Sequence, residues 1–212
     1  GNTTGIPDAT IPGENAKDEF GHALAAVDLN NDGYDDLIAG APFHNTYVTW
    51  PVTGTASEAG KVYVYAGGAS FNTTPAYTLD GRKSTCGVGC YYALSEQLGS
   101  SIASAGDVND DGYQDVAIGA SEGGFKRSGS IRVLFGQQSL AALSTVEMSG
   151  PDEDGRMGYP VASAGDVNGD GYADIIAGSG SIGGGGLARA YLVYGGPVRL
   201  AATLRIGIPA AS

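Results

Sequence analysis

The residues best suited to chemistry in this chain lie in three copies of one nine-residue pattern, D-x-N-x-D-G-Y-x-D, at residues 28–36, 107–115 and 166–174. Each copy places oxygen side chains at positions 1, 3, 5 and 9, and a tightly turned loop can aim such oxygens at one hard cation. The glycine at position 6 permits the sharp turn. Three copies with the same ligand positions predict three Ca²⁺ sites. The side chains predicted as ligands are Asp28, Asn30, Asp32 and Asp36, then Asp107, Asn109, Asp111 and Asp115, then Asp166, Asn168, Asp170 and Asp174.

An EF-hand loop begins in the same way, but it needs a bidentate glutamate at position 12. In this chain position 12 is Ala39, Ile118 or Ala177. Position 9 is followed instead by a short apolar run closed by glycine, which is typical of a buried strand. Apolar residues also precede each loop, so the pattern predicts that each loop joins the two strands of a β-hairpin.

The composition favours an all-β protein with many tight turns. The chain has 212 residues, of which 36 are glycine and 12 are tyrosine, and only 16% are charged. These values suit short strands better than helices. The formal net charge is −12, and Ca²⁺ in the three loops would neutralise about half of it. The acidity disfavours a nucleic-acid partner, and no apolar stretch is long enough to predict membrane insertion.

Two cysteines, Cys86 and Cys90, lie close together in the sequence. Two thiols cannot complete a tetrahedral zinc site, and the spacing is not that of a C-x-x-C motif. Because abundant calcium is a property of the extracellular environment, a local disulfide in an oxidising compartment is favoured, with a pair of unreactive loop thiols as the alternative. Asn2 and Asn72 begin Asn-Thr-Thr sequences and are glycosylation acceptors if the source is eukaryotic.

The calcium pattern recurs with a period that two insertions disturb. The first aspartates of the three copies are 79 and 59 positions apart. Two insertions of ten residues, within residues 43–59 and 81–97, account for the difference, and both lie in polar loops between strand-like runs. The underlying unit has about 60 residues and four strand-like segments, which is the content of one propeller blade. The four segments are an outer strand, the two strands of the hairpin, and a third alternating strand.

Two short motifs recur in every unit, one before the pattern loop and one after it. They are Phe20-Gly21 with Gly40-Ala41-Pro42, Leu98-Gly99 with Gly119-Ala120-Ser121, and Met157-Gly158 with Gly178-Ser179-Gly180. With these motifs the units resemble FG-GAP repeats, which form the blades of the seven-bladed β-propeller at the head of integrin α subunits. The first unit contains both sequences for which the family is named, the second differs at two positions, and the third has drifted further, while every calcium position is retained.

The resemblance implies an all-β fold of about three four-stranded propeller blades that together form a single partial β-propeller region over residues 1–212. The approximate blades are 8–74, 75–142 and 143–197, and residues 198–212 begin a further blade or supply a closing strand. Residues 8–12 and 202–206 resemble outer strands. Closed propellers typically have four to eight blades, so we expect the missing blades to come from another chain, another copy, or a segment outside this sequence.

The resemblance also adds one backbone ligand to each loop. In the family pattern the carbonyl at position 7 binds the cation, which here implies the carbonyls of Tyr34, Tyr113 and Tyr172. The cations of such blades are chiefly structural, because they hold the hairpins at one end of the propeller.

These observations predict a secreted or cell-surface, calcium-binding module for adhesion or protein–protein interaction, and not an enzyme. His22 and His44 have no catalytic motif around them and are expected to be loop residues. The insertions at 43–59 and 81–97 are the expected partner surface. One alternative is a lectin-like propeller that uses loop aromatics such as Tyr47 and Trp50. Another is a non-catalytic accessory domain of a larger secreted hydrolase or lyase.

Overall fold

The computed structural model describes residues 8–48, 54–56, 58–82, 95–124, 127–180, 188–197 and 206–207. Within these ranges the chain forms an all-β fold of three antiparallel four-stranded sheets and one two-stranded ribbon. The fold class predicted from the sequence is therefore confirmed.

The three sheets follow one another along the chain and share one strand order. The first sheet contains β1 (Leu24–Val27), β2 (Asp36–Ala41), β5 (Lys61–Tyr65) and β6 (Tyr77–Asp80). The ribbon of β3 (Thr46–Val48) and β4 (Gly54–Ala56) stands between β2 and β5. The second sheet contains β7 (Leu98–Gly106), β8 (Asp115–Ala120), β9 (Ser130–Phe135) and β10 (Ser144–Ser149). The third contains β11 (Val161–Gly165), β12 (Asp174–Ser179), β13 (Arg189–Val193) and β14 (Ile206–Gly207).

The predicted hairpins are present, and each pattern loop joins the first two strands of its sheet. Val27 pairs with Asp36, Gly106 with Asp115, and Gly165 with Asp174. The residue at position 9 is thus the first residue of the second strand in every hairpin. All three loops lie at the same end of their sheets.

The outer strands pair differently from the sequence-based blade boundaries. Those boundaries assigned β6 and β10 to the following blade, but β6 pairs with β5 and β10 pairs with β9. The physical reason is that a short connection returns the chain beside the strand it has just left, and this pairing covers an otherwise open edge. The longer segment 81–97 then carries the chain to the next sheet. Residues 8–12 form no strand, while β14 pairs with β13 of the third sheet.

Alternation along the strands gives each sheet two apolar faces. We call the face that packs on the following sheet the trailing face and the opposite one the leading face. Ile38, Val62 and Val64 on the trailing face of the first sheet pack with Ile118 and Leu134 on the leading face of the second. A second cluster joins the second and third sheets in the same way, with members including Ala117, Ile131, Val133, Ile175, Ala177 and Val193.

The glycines of the family motif lie where neighbouring sheets meet. Gly99 and Gly158 have φ values of 89° and 103°, in the left-handed region that favours glycine. A side chain at Gly40 would overlap the carbonyl oxygen of Gly99, and one at Gly119 would overlap that of Gly158. Leu98 and Met157, which replace the motif phenylalanine, are fully buried between sheets. The drift in the motif therefore affects packing residues.

The leading face of the first sheet is covered by the segment that precedes it. Phe20 lies edge-on to Tyr63, with ring centroids 5.2 Å apart, and Tyr63 stacks beside Tyr65. Ile11 also packs on this cluster. Lys61 lies 4.9 Å from the Tyr63 ring centroid. Residues 8–20 thus occupy the place that a preceding sheet would take.

Candidate metal-binding loops

Each loop is folded by the carboxylate at position 1, which accepts hydrogen bonds from the backbone amides at positions 5 and 6. In the first loop the Asp28 carboxylate lies 3.1 Å from the Asp32 nitrogen and 2.9 Å from the Gly33 nitrogen. The same contacts measure 3.2 and 2.8 Å in the second loop and 3.1 and 2.9 Å in the third. Aspartate side chains commonly close turns in this way. The ligand predicted at position 1 therefore also organises the turn.

Positions 3 and 5 are joined to each other and to position 1. The Asp32 amide is shared, because it also lies 3.1 Å from the Asn30 side-chain oxygen. The Asn30 amide group donates to the Asp32 carboxylate at 3.0 Å, and the equivalent distance is 2.8 Å in both other loops. The Asp32 carboxylate also accepts from the Tyr34 amide at 2.9 Å. The structure thus brings three of the four predicted side-chain ligands of each loop into one turn.

Position 9 differs from the other three because it is fully buried in every loop. One carboxylate oxygen of Asp36 accepts the Leu29 amide at 3.0 Å, and the other accepts the Gly67 amide at 2.8 Å. The other two loops repeat this arrangement, with distances of 2.8–2.9 Å. Those contacts join Asp115 to Val108 and Gly136, and Asp174 to Val167 and Gly195. Position 9 therefore ties the loop to the turn that follows the third strand.

The loops carry negative charge that no ion pair among the described residues balances. Among the ion pairs of the described residues, none involves a carboxylate of the three loops. Burial raises the pKa of Asp115 to about 7, an effect that backbone hydrogen bonds oppose and that Asp111 and Asp107 reinforce. Burial likewise raises the pKa of Asp36. A bound cation would relieve this charge.

The donor set fits Ca²⁺, although carboxylates alone do not make a site. Within the described ranges, no group of three or more His, Cys, Asp or Glu side chains is placed to hold a metal. One predicted ligand in each loop is an asparagine, and position 9 accepts backbone amides. At least one oxygen of each loop carboxylate accepts a single hydrogen bond and keeps a lone pair for a cation. Carboxylate, amide and carbonyl oxygens are the ligands that Ca²⁺ prefers. The side chains of these loops and the carbonyls of Tyr34, Tyr113 and Tyr172 stay predicted ligands.

Neighbouring loops touch one another through hydrogen bonds. The side-chain amide of Asn31, at position 4 of the first loop, donates to the Gly112 carbonyl of the second loop at 2.7 Å. The Ala173 amide of the third loop donates to the Asp107 carbonyl of the second loop at 3.0 Å. Sequence reasoning missed these contacts, because Asn31 and Ala173 occupy positions that the ligand pattern leaves free.

The other residues singled out from the sequence have mixed outcomes. Cys86, Cys90 and Asn2 lie outside the described residues, so the disulfide and the first glycosylation acceptor stay predictions. Asn72 is exposed, and its side chain accepts the Thr74 amide at 2.9 Å.

The two histidines both contact acidic side chains. His22 is a loop residue whose ring nitrogen lies 3.0 Å from the Glu19 carboxylate. His44 is buried, and its ring nitrogen lies 2.6 Å from the Asp18 carboxylate. His44 thus helps to hold residues 8–20 against the first sheet.

A buried ion pair between the first two sheets was also missed. The Arg132 guanidinium donates to both oxygens of the Glu96 carboxylate at 2.6 and 2.8 Å and to the Asp80 carbonyl at 3.2 Å. Glu147 lies 3.3 Å from the same guanidinium. Burial raises the pKa of Glu96, and Arg132 opposes that shift. A lone arginine in an alternating strand gives no sequence signal of this partner, which lies 36 residues away.

The last residues of the two insertions, 58–59 and 96–97, which we call their roots, lie side by side. They are at the opposite end of the sheets from the pattern loops. The Gln97 amide donates to the Glu58 carbonyl at 3.2 Å, and the Leu98 amide donates to the Ala59 carbonyl at 3.1 Å. Across the first insertion, the Glu58 amide donates to the Asn45 side chain at 2.9 Å. The fold therefore separates the predicted cation loops from the predicted partner surface.

Two family models match the chain: an FG-GAP repeat over residues 20–65 and an FG-GAP-like repeat over residues 99–177. The chain belongs to the FG-GAP repeat family. These matches contain all three pattern loops and all or most of the first two strands of each sheet. The resemblance drawn from the motif residues is therefore confirmed.

The FG-GAP repeats of this chain are similar to those of integrin α subunits. The chain is 33% identical to integrin alpha-5 of Xenopus laevis over 172 aligned residues. The alignment covers 79% of this chain and 15% of that protein. Integrin alpha-IIb of Mus musculus is 32% identical over 173 residues, with 80% of this chain and 16% of the relative covered. Integrin alpha-3 of Cricetulus griseus is 33% identical over 175 residues, with 76% of this chain and 14% of the relative covered. The chain thus spans about 15% of the length of these relatives.

Relatives of this kind confirm the predicted extracellular or cell-surface location of the FG-GAP repeats. The described part of the chain contains no helix long and apolar enough to cross a membrane.

Proposed function

We propose that this chain is an extracellular calcium-binding part of a β-propeller that serves adhesion or protein–protein interaction. The observation that carries the proposal is the threefold repetition of one loop geometry with unbalanced carboxylates. Integrin α relatives support an adhesion role, and no catalytic activity is part of the proposal.

Ca²⁺ would be held by the loop side chains at positions 1, 3, 5 and 9 and by the carbonyl at position 7. When bound, it supplies positive charge to turns that otherwise concentrate like charges. The chain's own residues already form the turns, and position 9 connects each turn to its sheet. We therefore expect the cation to stabilise the folded state, because binding that occurs only in the folded state adds to its stability.

We propose that further blades complete the propeller. The first two sheets each pack their trailing face on the next sheet, whereas the third presents the same face without a described sheet upon it. Closed propellers hide such faces and edges. Size-exclusion chromatography with light scattering tests this part: a well-folded 21.3 kDa monomer with no tendency to associate would contradict completion by another copy.

We propose that the two insertions form the recognition surface. Their roots are adjacent, and loops on a rigid scaffold commonly carry binding residues. The lectin-like alternative depends on Tyr47 and Trp50, whose side chains lie outside the described part of the chain. Glycan-array binding that is lost when these two aromatics are replaced would favour that alternative over a protein partner.

The calcium proposal is tested by metal content after equilibrium dialysis. We expect three Ca²⁺ per chain, and the Asp32→Ala variant should lose one. The matched control is Asp35→Ala, which removes an exposed aspartate at position 8 of the same loop and should keep three. Absence of bound calcium in the unchanged chain, or an equal loss in both variants, would contradict the assignment of ligands.

A further inference from the structure

The three pattern loops form a row in which the second loop is hydrogen-bonded to both of the others. In addition to the contacts of Asn31 and Ala173, the Gly196 amide of the third sheet donates to the Val108 carbonyl of the second loop at 2.8 Å. Among the described residues, no hydrogen bond joins the first loop to the third. The second loop is thus placed to respond to both neighbours.

The contact from the third loop leads through peptide groups to a predicted ligand of the second. The Ala173 amide belongs to the same peptide group as the Tyr172 carbonyl, which is the predicted ligand at position 7. That amide donates to the Asp107 carbonyl at 3.0 Å. The next amide, of Val108, donates to the Asp115 carboxylate at 2.9 Å. Two peptide groups therefore connect a ligand of one loop with a ligand of another.

The contact from the first loop is donated by a side chain, and it also reaches a peptide group of the second loop. Asn31 lies between the predicted ligands at positions 3 and 5, and its side chain donates to the Gly112 carbonyl at 2.7 Å. The peptide group of that carbonyl carries the Tyr113 amide, which donates to the Asp111 carboxylate at 2.9 Å. This path also ends on a predicted ligand of the second loop.

We propose that the three loops bind calcium with positive cooperativity, in which occupancy of the first or third loop raises the affinity of the second through these two peptide paths. The inference rests on the proposed function of the loops. Two physical effects support it. A loop fixed by its cation holds its donor group in place, so the neighbour loses less conformational freedom on binding. Hydrogen bonds in series also polarise and strengthen one another.

The two paths differ in strength. One backbone hydrogen bond joins the second and third loops directly, and another joins the second loop to the turn after β13. Only a substitution by proline would remove either amide donor. The first and second loops are joined by the exposed Asn31 side chain, which a substitution can remove. We therefore expect stronger coupling between the second and third loops than between the first and second. By reciprocity, the second loop must raise the affinity of each neighbour by the same factor.

Calcium titration calorimetry on the full chain tests this with loops disabled at position 5. Asp32→Ala, Asp111→Ala and Asp170→Ala each disable one loop, and pairs of these changes leave a single active loop. When loops two and three are both active, the product of their two calcium-binding constants should be about fivefold or more above the product of the constants that each loop shows as the only active loop. The same ratio for loops one and two, which we call the excess as for loops two and three, should be smaller but above about twofold.

Removal of the Asn31 donor separates the two paths. Asn31→Gly keeps the left-handed backbone, since the third loop has Gly169 at this position with φ of 74°. Asn31→Asp keeps a side chain of the same shape, removes the amide donor and adds a negative charge. The added charge can change the first loop's own calcium affinity, and Asn31→Gly can change it only through the loss of the side chain, so an effect common to both variants reports the lost donor. Both variants should abolish the excess between loops one and two and preserve the excess between loops two and three, which is the internal control.

The outcomes distinguish this inference from the proposed function. Binding constants that are the same with neighbouring loops active or disabled would overturn the cooperativity and leave calcium binding intact. An unchanged excess between the first and second loops in both Asn31 variants would overturn the assigned path. Failure of the unchanged chain to bind any calcium would contradict the proposed function and the cooperativity together.

Discussion

The first and third sheets present the same face to different surroundings. Ile38 and Ile176 are the third residues of β2 and β12, but Ile38 is 0% exposed and Ile176 is 40% exposed. Position 2 of the loops shows the same contrast, since Leu29 and Val108 are 0% and 1% exposed while Val167 is 55% exposed. The difference is the following sheet, which covers the first two copies. Identical sequence positions thus change from core to surface according to their place in the row.

This contrast shows that the repeats are not self-sufficient. A hairpin and its pattern loop are formed within one sheet, but the burial of that sheet's trailing face depends on its neighbour, as is typical of repeat architectures. The leading face of the first sheet has a substitute cover in residues 8–20, held by Phe20, His44 and Asp18. The trailing face of the third sheet has no such cover among the described residues.

The largest effect should follow from removing charge within a covered interface. Arg132→Leu leaves Glu96 buried without its main partner, and loss of one member of a buried pair typically costs about 3–5 kcal/mol. Chemical denaturation measures the free energy of unfolding. By contrast Arg189, which pairs with Asp152 at the exposed third sheet, can be changed to alanine with almost no shift in the unfolding midpoint.

The control for this prediction is the double variant Arg132→Leu with Glu96→Leu. It should recover much of the stability lost in the single variant, because it removes the unpaired charge. A single variant as stable as the unchanged chain would mean that the interface between the first two sheets is open in solution.

The next effect compares the two isoleucines directly. Ile38→Ala should lower the free energy of unfolding by about 2–4 kcal/mol because it leaves a cavity between two sheets. Ile176→Ala should lower it by about 1 kcal/mol or less because its site is partly in solvent. Urea unfolding of both variants checks the difference, and equal losses would show that the third sheet is covered in solution.

The smallest effect compares the two loop residues at position 2. Leu29→Ala removes a fully buried side chain and should cost about 2–3 kcal/mol, whereas Val167→Ala should stay within about 0.5 kcal/mol. Thermal unfolding followed by circular dichroism checks this pair. A larger loss of unfolding free energy for Val167→Ala would mean that the third loop is also covered in solution, which would contradict the contrast between the two loops.

The sequence allowed prediction of the loops and hairpins because their determinants are local. The pattern that starts at Asp28 contains its own turn glycine, and a short apolar strand follows it. The pairing of β6 could not be predicted in the same way, since the alternation of its residues suits either neighbouring sheet. The Arg132–Glu96 pair and the Asn31 contact join residues 36 and 81 positions apart. Such contacts depend on how sheets stack, which no local pattern records.

The position-9 aspartates show where a local pattern is right but incomplete. Asp36 was predicted as a ligand from its spacing, and the structure adds a second role, since its carboxylate holds the amides of Leu29 and Gly67. That role depends on the turn after β5, which is 31 residues away in the sequence. The same side chain therefore carries the link between loop and sheet.

The central claim is that calcium in the three loops stabilises this row of sheets. Thermal unfolding of the full chain in excess Ca²⁺, after chelation, and after calcium is restored tests it most directly. We expect chelation to lower Tm, and restored calcium to return Tm to its original value, because binding only the folded state raises its stability. An unchanged Tm in the three conditions, together with no bound metal by elemental analysis, would contradict the claim.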